Sequence, residues 1–170
     1  RFKDKDLIKV VTGIRRCGKS TLLFDLFNSF LINSGVKEEC IIKIELDKRK
    51  YLKFRNPIYL CEYVENIIKD SEDKYYLFID EVQLTNVVTD EGSGIDVTIY
   101  DMLNELRGYK NLDCYVTGSN SKMLSSDIAT EFRGRSSQIK VYPLSFSELY
   151  SYKNMGVREL LDEFMEFGGM

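Results

Sequence analysis

Short apolar runs alternate with helically spaced apolar residues along this chain, and that alternation sets the expected fold. Ile8–Val11 is a β-branched run that leads directly into a glycine-rich stretch. Leu22, Leu23, Leu26, Phe27, Phe30 and Leu31 then recur at helical spacing, predicting a helix over 19–33 that Gly35 stops. Ile41–Leu46 reads as a second strand. Asn56-Pro57 supplies a cap and a first-turn proline, and Leu60, Cys61, Val64, Ile67 and Ile68 line the helix behind them. Tyr75–Ile79 is nearly all apolar, as in a strand buried on both faces of a parallel sheet.

The second half continues the alternation. Residues 85–97 read as an irregular insertion with a glycine-serine tip. Ile99, Met102, Leu103 and Leu106 mark a helix near 98–107, and Cys114–Thr117 a fourth strand. A short helix is expected from Ser121 to about Thr130, and Ile139–Tyr142 is a fifth strand closed by Pro143. Ser145 with Glu148 forms a capping box that opens another helix. Residues 157–167 form the last helix, ended by Gly168-Gly169. Strands alternating with helices predict an α/β, doubly wound parallel sheet, whose ligands sit at the carboxyl ends of the strands.

Composition narrows the chemistry. The 170 residues suit one domain. Histidine is absent, which excludes an imidazole base and leaves carboxylates as candidates. Four scattered cysteines with no CxxC pair argue against a disulfide framework or zinc site, so a reducing cytoplasm is the expected location. No apolar run is long enough to cross a bilayer, and no membrane partner is expected. The net charge of −3 gives no overall attraction to nucleic acid. Basic residues are interspersed with acids, as on a solvated surface. The start at Arg1 and the end at Gly-Gly-Met suggest a piece of a longer protein.

One stretch points to a ligand. GIRRCGKST, residues 13–21, matches G-x-x-x-x-G-K-[ST] between a strand and a helix. Gly13 and Gly18 let the backbone turn its N–H groups inward as an anion nest at a helix start. Lys19 supplies charge for the β- and γ-phosphates, Ser20 a hydroxyl for Mg²⁺, and Thr21 reach to the α-phosphate. Arg15 and Arg16 add positive potential, either on phosphate or as solvated side chains; Cys17 serves spacing.

Further polar groups fall at predicted strand ends. Asp80 and Glu81 follow YYLFI, placing an aspartate for the magnesium shell beside a glutamate able to polarise water. Gln83 lies nearby. One of Thr117, Ser119 and Asn120 is expected between the carboxylates and the γ-phosphate; the same residues also suit a turn. Arg133 and Arg135 either reach a neighbouring subunit's γ-phosphate or pair with local acids.

GIRRCGKST, FIDEVQ, VTGSNSKMLSSDIATEFRGR, YPLSFSEL and the closing FGGM together resemble the prokaryotic AAA-type ATP-binding proteins, over nearly the whole chain. That resemblance implies a P-loop three-layer αβα sandwich with a five-stranded parallel sheet in the order 5-1-4-3-2. It implies ATP with Mg²⁺, and a C-terminal region beyond this stretch that reaches protein or DNA partners. It is also consistent with a homo-oligomer bridged by the arginines.

Three activities fit these residues. The first is hydrolysis of Mg-ATP coupled to movement. A small-molecule kinase also needs the loop, but the strand-end acid pair favours water as acceptor. In the third, ATP binding switches a partner surface with negligible turnover.

Overall fold

The computed structural model describes residues 3–118, 132, 134–153 and 156–169. Five parallel strands build the sheet: β1 (Ile8–Thr12), β2 (Ile41–Glu45), β3 (Tyr75–Asp80), β4 (Leu112–Gly118) and β5 (Ser136–Lys140). They lie in the spatial order β2-β3-β4-β1-β5, which reads 5-1-4-3-2 from the other edge. β4 is thereby inserted between β1 and β3. All four pairings are parallel, so the carboxyl ends share one edge of the sheet.

Helices cover both faces. All six residues of β3 are buried, which explains its unbroken apolar run. Leu77 and Ile79 pack on one face with α2 (Pro57–Ile68) and α3 (Ile99–Leu106), through Leu60, Val64, Leu103 and Leu106. Tyr76 and Phe78 point the other way, toward Leu23, Phe24, Phe27 and Leu31. That second layer is a π-helical stretch, Thr21–Phe27, continued by α1 (Asn28–Asn33). Two helices follow the sheet, α4 (Phe146–Tyr152) and α5 (Val157–Phe167).

Local chemistry accounts for the helix starts. The Asn56 side chain accepts from the Ile58 N–H, with Pro57 in the first turn of α2. Thr98 with Asp101 forms a capping box on α3, and Ser145 with Glu148 forms one on α4.

Three expectations need correction. The segment 85–97 is not wholly irregular: Val88–Thr89 pairs antiparallel with Asp96–Val97 as a small ribbon. The fifth strand is Ser136–Lys140 rather than Ile139–Tyr142, because pairing with Ile8–Thr12 sets it and its own apolar pattern is weak at an exposed edge. Leu26 and Phe30 stand 63% and 54% exposed instead of facing the sheet. The i→i+5 winding of Thr21–Phe27 breaks the 3.6-residue spacing that would have turned them inward. The helix expected over 121–130 lies outside the described residues.

Candidate functional site

The glycine loop leaves the carboxyl end of β1 at Gly13 and ends where the next helix begins. Gly13 is buried where chains crowd: a Cβ there would lie 2.3 Å from the Val141 carbonyl oxygen and 2.5 Å from Cys17 Sγ. Gly18 has φ +91°, a region that favours glycine. Arg16 adopts a left-handed φ of 65° and, like Arg15, is exposed. Cys17 is buried, its N–H bonded to the Ile14 carbonyl.

Lys19 is also buried, an unusual place for an ammonium. Its Nζ donates to the carbonyl oxygens of Gly13 at 3.1 Å and Ile14 at 2.8 Å, and lies 3.9 Å from Cys17 Sγ. The charge is therefore held inside the curve of the loop. Ser20 and Thr21 are exposed on the first turn of the helix.

The two acids meet this loop from β3. Asp80 is the last residue of the strand and is buried. Its Oδ2 accepts from Ser20 Oγ at 2.8 Å, and its Oδ1 accepts from Thr117 Oγ1. Glu81 follows in a left-handed conformation, φ 54°, and its N–H donates to Thr117 Oγ1 at 3.2 Å. Such backbone strain in a non-glycine residue is characteristic of functional sites. Gln83 Nε2 donates to Glu81 Oε2.

Strand order explains the convergence. β4 lies between β1 and β3, so Thr117 near its end stands between the loop and the acid pair. Ser20, Asp80, Thr117 and Glu81 form one hydrogen-bonded chain that links the helix start to the ends of β3 and β4. Of the three candidates expected there, Thr117 stands between the loop and the acid pair, and Ser119 and Asn120 lie outside the described residues. Arg133 does too, while Arg135 is exposed just before β5, away from solvent exclusion. Its carbonyl accepts from the Ile8 N–H at 3.0 Å.

A neighbouring feature was not singled out from the sequence. A cavity of about 210 Å³ opens beside Gly13, walled by Thr12, Ile14, Lys140, Tyr142 and Pro143. The Val141 N–H donates to the Thr12 carbonyl at 2.7 Å, which holds the far wall against β1. The signal available in the sequence is the Tyr142-Pro143 pair that follows the fifth strand and opens YPLSFSEL.

A glycine loop that encloses an ammonium at a helix start, with the Asp80 carboxylate on Ser20 beside it, is an arrangement suited to a polyphosphate. A hydroxyl and a carboxylate in contact, Ser20 and Asp80, form an oxygen pair suited to a hard divalent cation.

Comparison with known proteins agrees with the fold. Residues 5–150 match the family model described as "AAA domain". An uncharacterized protein of Haemophilus influenzae is 34% identical over 174 residues, covering 99% of this chain and 40% of the relative. A second uncharacterized protein, from Methanocaldococcus jannaschii, is 30% identical over 179 residues, covering 95% of this chain and 35% of its own length. The chain therefore spans well under half the length of these relatives. Among solved structures, C. elegans PCH-2 superposes with a TM-score of 0.61 at 14% identity, covering 96% of this chain and 41% of that one. The Aeropyrum pernix ORC1 protein in complex with DNA gives 0.52 at 11%, covering 94% and 44%.

Proposed function

Because the chain belongs to the AAA domain family, we propose that it binds Mg-ATP at the 13–21 loop and hydrolyses the bond between the β- and γ-phosphates. The observation that supports this best is the hydrogen-bonded chain from Ser20 through Asp80 and Thr117 to Glu81. It joins a phosphate-type loop to a carboxylate that can take a proton.

Each residue then has a distinct task. The loop amides and Lys19 cradle the phosphates, and Lys19 offsets charge on the β- and γ-oxygens. Ser20 and Asp80 are the groups that would hold Mg²⁺, which when bound neutralises charge developing on those oxygens. Glu81 accepts a proton from the attacking water as its oxygen bonds to the γ-phosphorus. The bond to the bridging oxygen breaks, ADP leaves with that electron pair, and inorganic phosphate forms. Thr117, bonded to both acidic residues, couples their positions to the γ-phosphate. The cavity beside Gly13, with Tyr142 and Pro143 on its wall, is placed to take the adenine base. Arg135 is exposed and free to act on a second copy's phosphate. In the longer protein, hydrolysis would drive a partner or a further region of the chain.

A second reading is favoured by one contact. Gln83 Nε2 engages Glu81 Oε2, so the carboxylate is held by its own strand end. A nucleotide-dependent switch with little turnover would need that contact to persist when ATP binds.

The Glu81→Gln variant separates the two. Hydrolysis predicts ATP affinity within about two-fold of wild type, with phosphate release lowered by about 10²-fold or more. Release unchanged by the substitution removes Glu81 from the mechanism. Tight ATP binding with no measurable release by the wild-type protein favours the switch.

A further inference from the structure

The ribbon formed by Val88–Thr89 and Asp96–Val97 has no part in the site described above. It overhangs α2 and α3 on the sheet face opposite α1, and between the three lies a groove of about 400 Å³. Its floor is apolar: Cys61 from α2, Met102 from α3, and Ile95 and Val97 from the ribbon. Ile95 is 64% exposed, so a large aliphatic side chain of this lining stands open to solvent.

The rim has the opposite character. Glu62 and Glu65 project from α2 and Glu105 from α3. Asp90 joins them from the ribbon, though its carboxylate is already engaged by the Ser93 N–H and hydroxyl at 2.8 and 2.7 Å. Glu65 accepts from the Tyr109 hydroxyl at 3.0 Å. Among the described residues none of Glu62, Glu65 and Glu105 forms an ion pair, and the groove is lined by no lysine or arginine. Their combined field reaches the floor: the Cys61 thiol is pushed up to about 12 by burial first, then by Glu65, Glu105 and Glu62.

We propose that this groove docks a cationic amphipathic segment of a protein partner, its apolar side chains on Met102, Ile95 and Val97 and its basic ones on Glu62, Glu65 and Glu105. Three observations choose this occupant. The apolar floor and the four carboxylates are contributed by three separate elements, so they converge through the fold and not through local sequence. The acidic rim disfavours nucleic acid and anionic lipid, whose phosphates it would repel. Among the described residues no three such side chains lie close enough to hold a metal ion, so the matching cations are spread out, as lysine and arginine heads along a peptide are. A basic segment with apolar anchors satisfies both surfaces at once.

The test uses a fluorescein-labelled peptide with Leu and Lys at amphipathic helical spacing, and a Lys/Ser peptide of equal length and charge, at physiological salt. Wild-type protein should bind the Leu/Lys peptide at least about ten-fold more tightly than the Lys/Ser peptide. E62K/E105K should weaken that binding about ten-fold or more, while E38K/E39K, which makes the same charge change on an exposed turn elsewhere, should leave it unchanged. Ile95→Ser, a surface change that does not disturb the core, should weaken it about three-fold. Equal losses in the two charge-reversed variants would overturn the proposal, as would equal affinity for both peptides or no effect of Ile95→Ser. Concentration-dependent self-association abolished by E62K/E105K would assign the groove to a second copy and overturn it as well. None of these readouts depends on nucleotide, so failure here leaves the ATPase reading untouched.

Discussion

Ser20 and Asp80 stand 60 positions apart in the chain and are joined by a 2.8 Å hydrogen bond. One lies on the first turn after the glycine loop, the other at the last position of β3. The contact depends on strand order, since it reaches past the inserted β4, whose Thr117 completes it from the other carboxylate oxygen.

If Asp80 holds a cation with Ser20, Asp80→Asn should act through the metal. The amide keeps the shape and loses the charge. ATP affinity in the presence of Mg²⁺ is expected to fall about ten- to a hundred-fold, from a charged contact of about 1.5–3 kcal/mol. Affinity measured with a chelator present should change by less than about three-fold. Equal losses under both conditions would make Asp80 a brace for the loop and not a metal partner.

Lys19→Ala tests the loop itself. The ammonium is buried and held by the carbonyls of Gly13 and Ile14, so truncation removes charge without opening the core. ATP binding should weaken by about thirty-fold or more, the equivalent of one lost charge-assisted interaction of about 2 kcal/mol. Calorimetric titration returning wild-type affinity would contradict the phosphate-loop assignment.

The loop glycines should fail in different ways. At Gly13 a methyl group would meet the Val141 carbonyl at 2.3 Å, a backbone atom that cannot swing aside. Gly13→Ala is therefore expected to cost about 1–3 kcal/mol and lower Tm by several degrees, with the cavity wall displaced. At Gly18 the space is open and the cost is conformational, because φ is +91°. Gly18→Ala should cost about 1 kcal/mol. Thermal melts that rank Gly18→Ala as the more damaging would show the Val141 approach to be unimportant.

How much of this was readable in the sequence differs by element. β3 was legible because a central parallel strand carries a continuous apolar run, β2 because Ile41, Ile42 and Ile44 are β-branched and buried even at the sheet's edge, and α2 because Asn56 and Pro57 announce its start. β5 was misplaced because an edge strand draws its register from Ile8–Thr12 and not from its own residues. The loop and the acid pair could be read from residue type and spacing, since the chemistry requires them in that order. Thr117 could be narrowed only to a group, as its role arises from the order in which the strands pair. The acidic groove was not legible at all: its carboxylates come from α2, α3 and the ribbon, and no local pattern links them.

Far from the loop, Asp4 gives a prediction about pH. Burial works to raise its carboxyl, but hydrogen bonds from Lys3 and Tyr76 outweigh that and hold it below the usual range. A depressed folded value stabilises the protein above the unfolded value of about 3.9, and that contribution disappears as pH falls through the folded value. Asp4→Asn should thus destabilise at pH 7 and match wild type at the acid extreme. The carboxyl is about half exposed, so screening keeps the effect at neutral pH under about 1 kcal/mol. Urea unfolding across pH 3–7 checks it, and a difference that stays constant with pH would assign the loss to neutral hydrogen bonding.

The same end of the sheet holds a buried ion pair. Lys9 on β1 and Asp113 on β4 are 0% and 2% exposed, and Lys9 Nζ donates to Asp113 Oδ1. The second carboxylate oxygen accepts from the Asp4 N–H at 2.9 Å and the Tyr115 hydroxyl at 3.0 Å. Burial first, and then the charge on Asp113, push the Tyr115 phenol well above its ordinary value, so it stays protonated and able to donate. Lys9→Met would strand the carboxylate with only neutral donors and should cost about 3 kcal/mol. Asp113→Leu alone should cost as much, because it strands the ammonium. The double variant Lys9→Met/Asp113→Leu removes both charges, and its loss should be clearly smaller than the sum of the two, by about 2 kcal/mol or more. Urea denaturation of the four proteins measures this coupling directly, and additive losses would mean that packing at each position, not the charge pair, carries the stability.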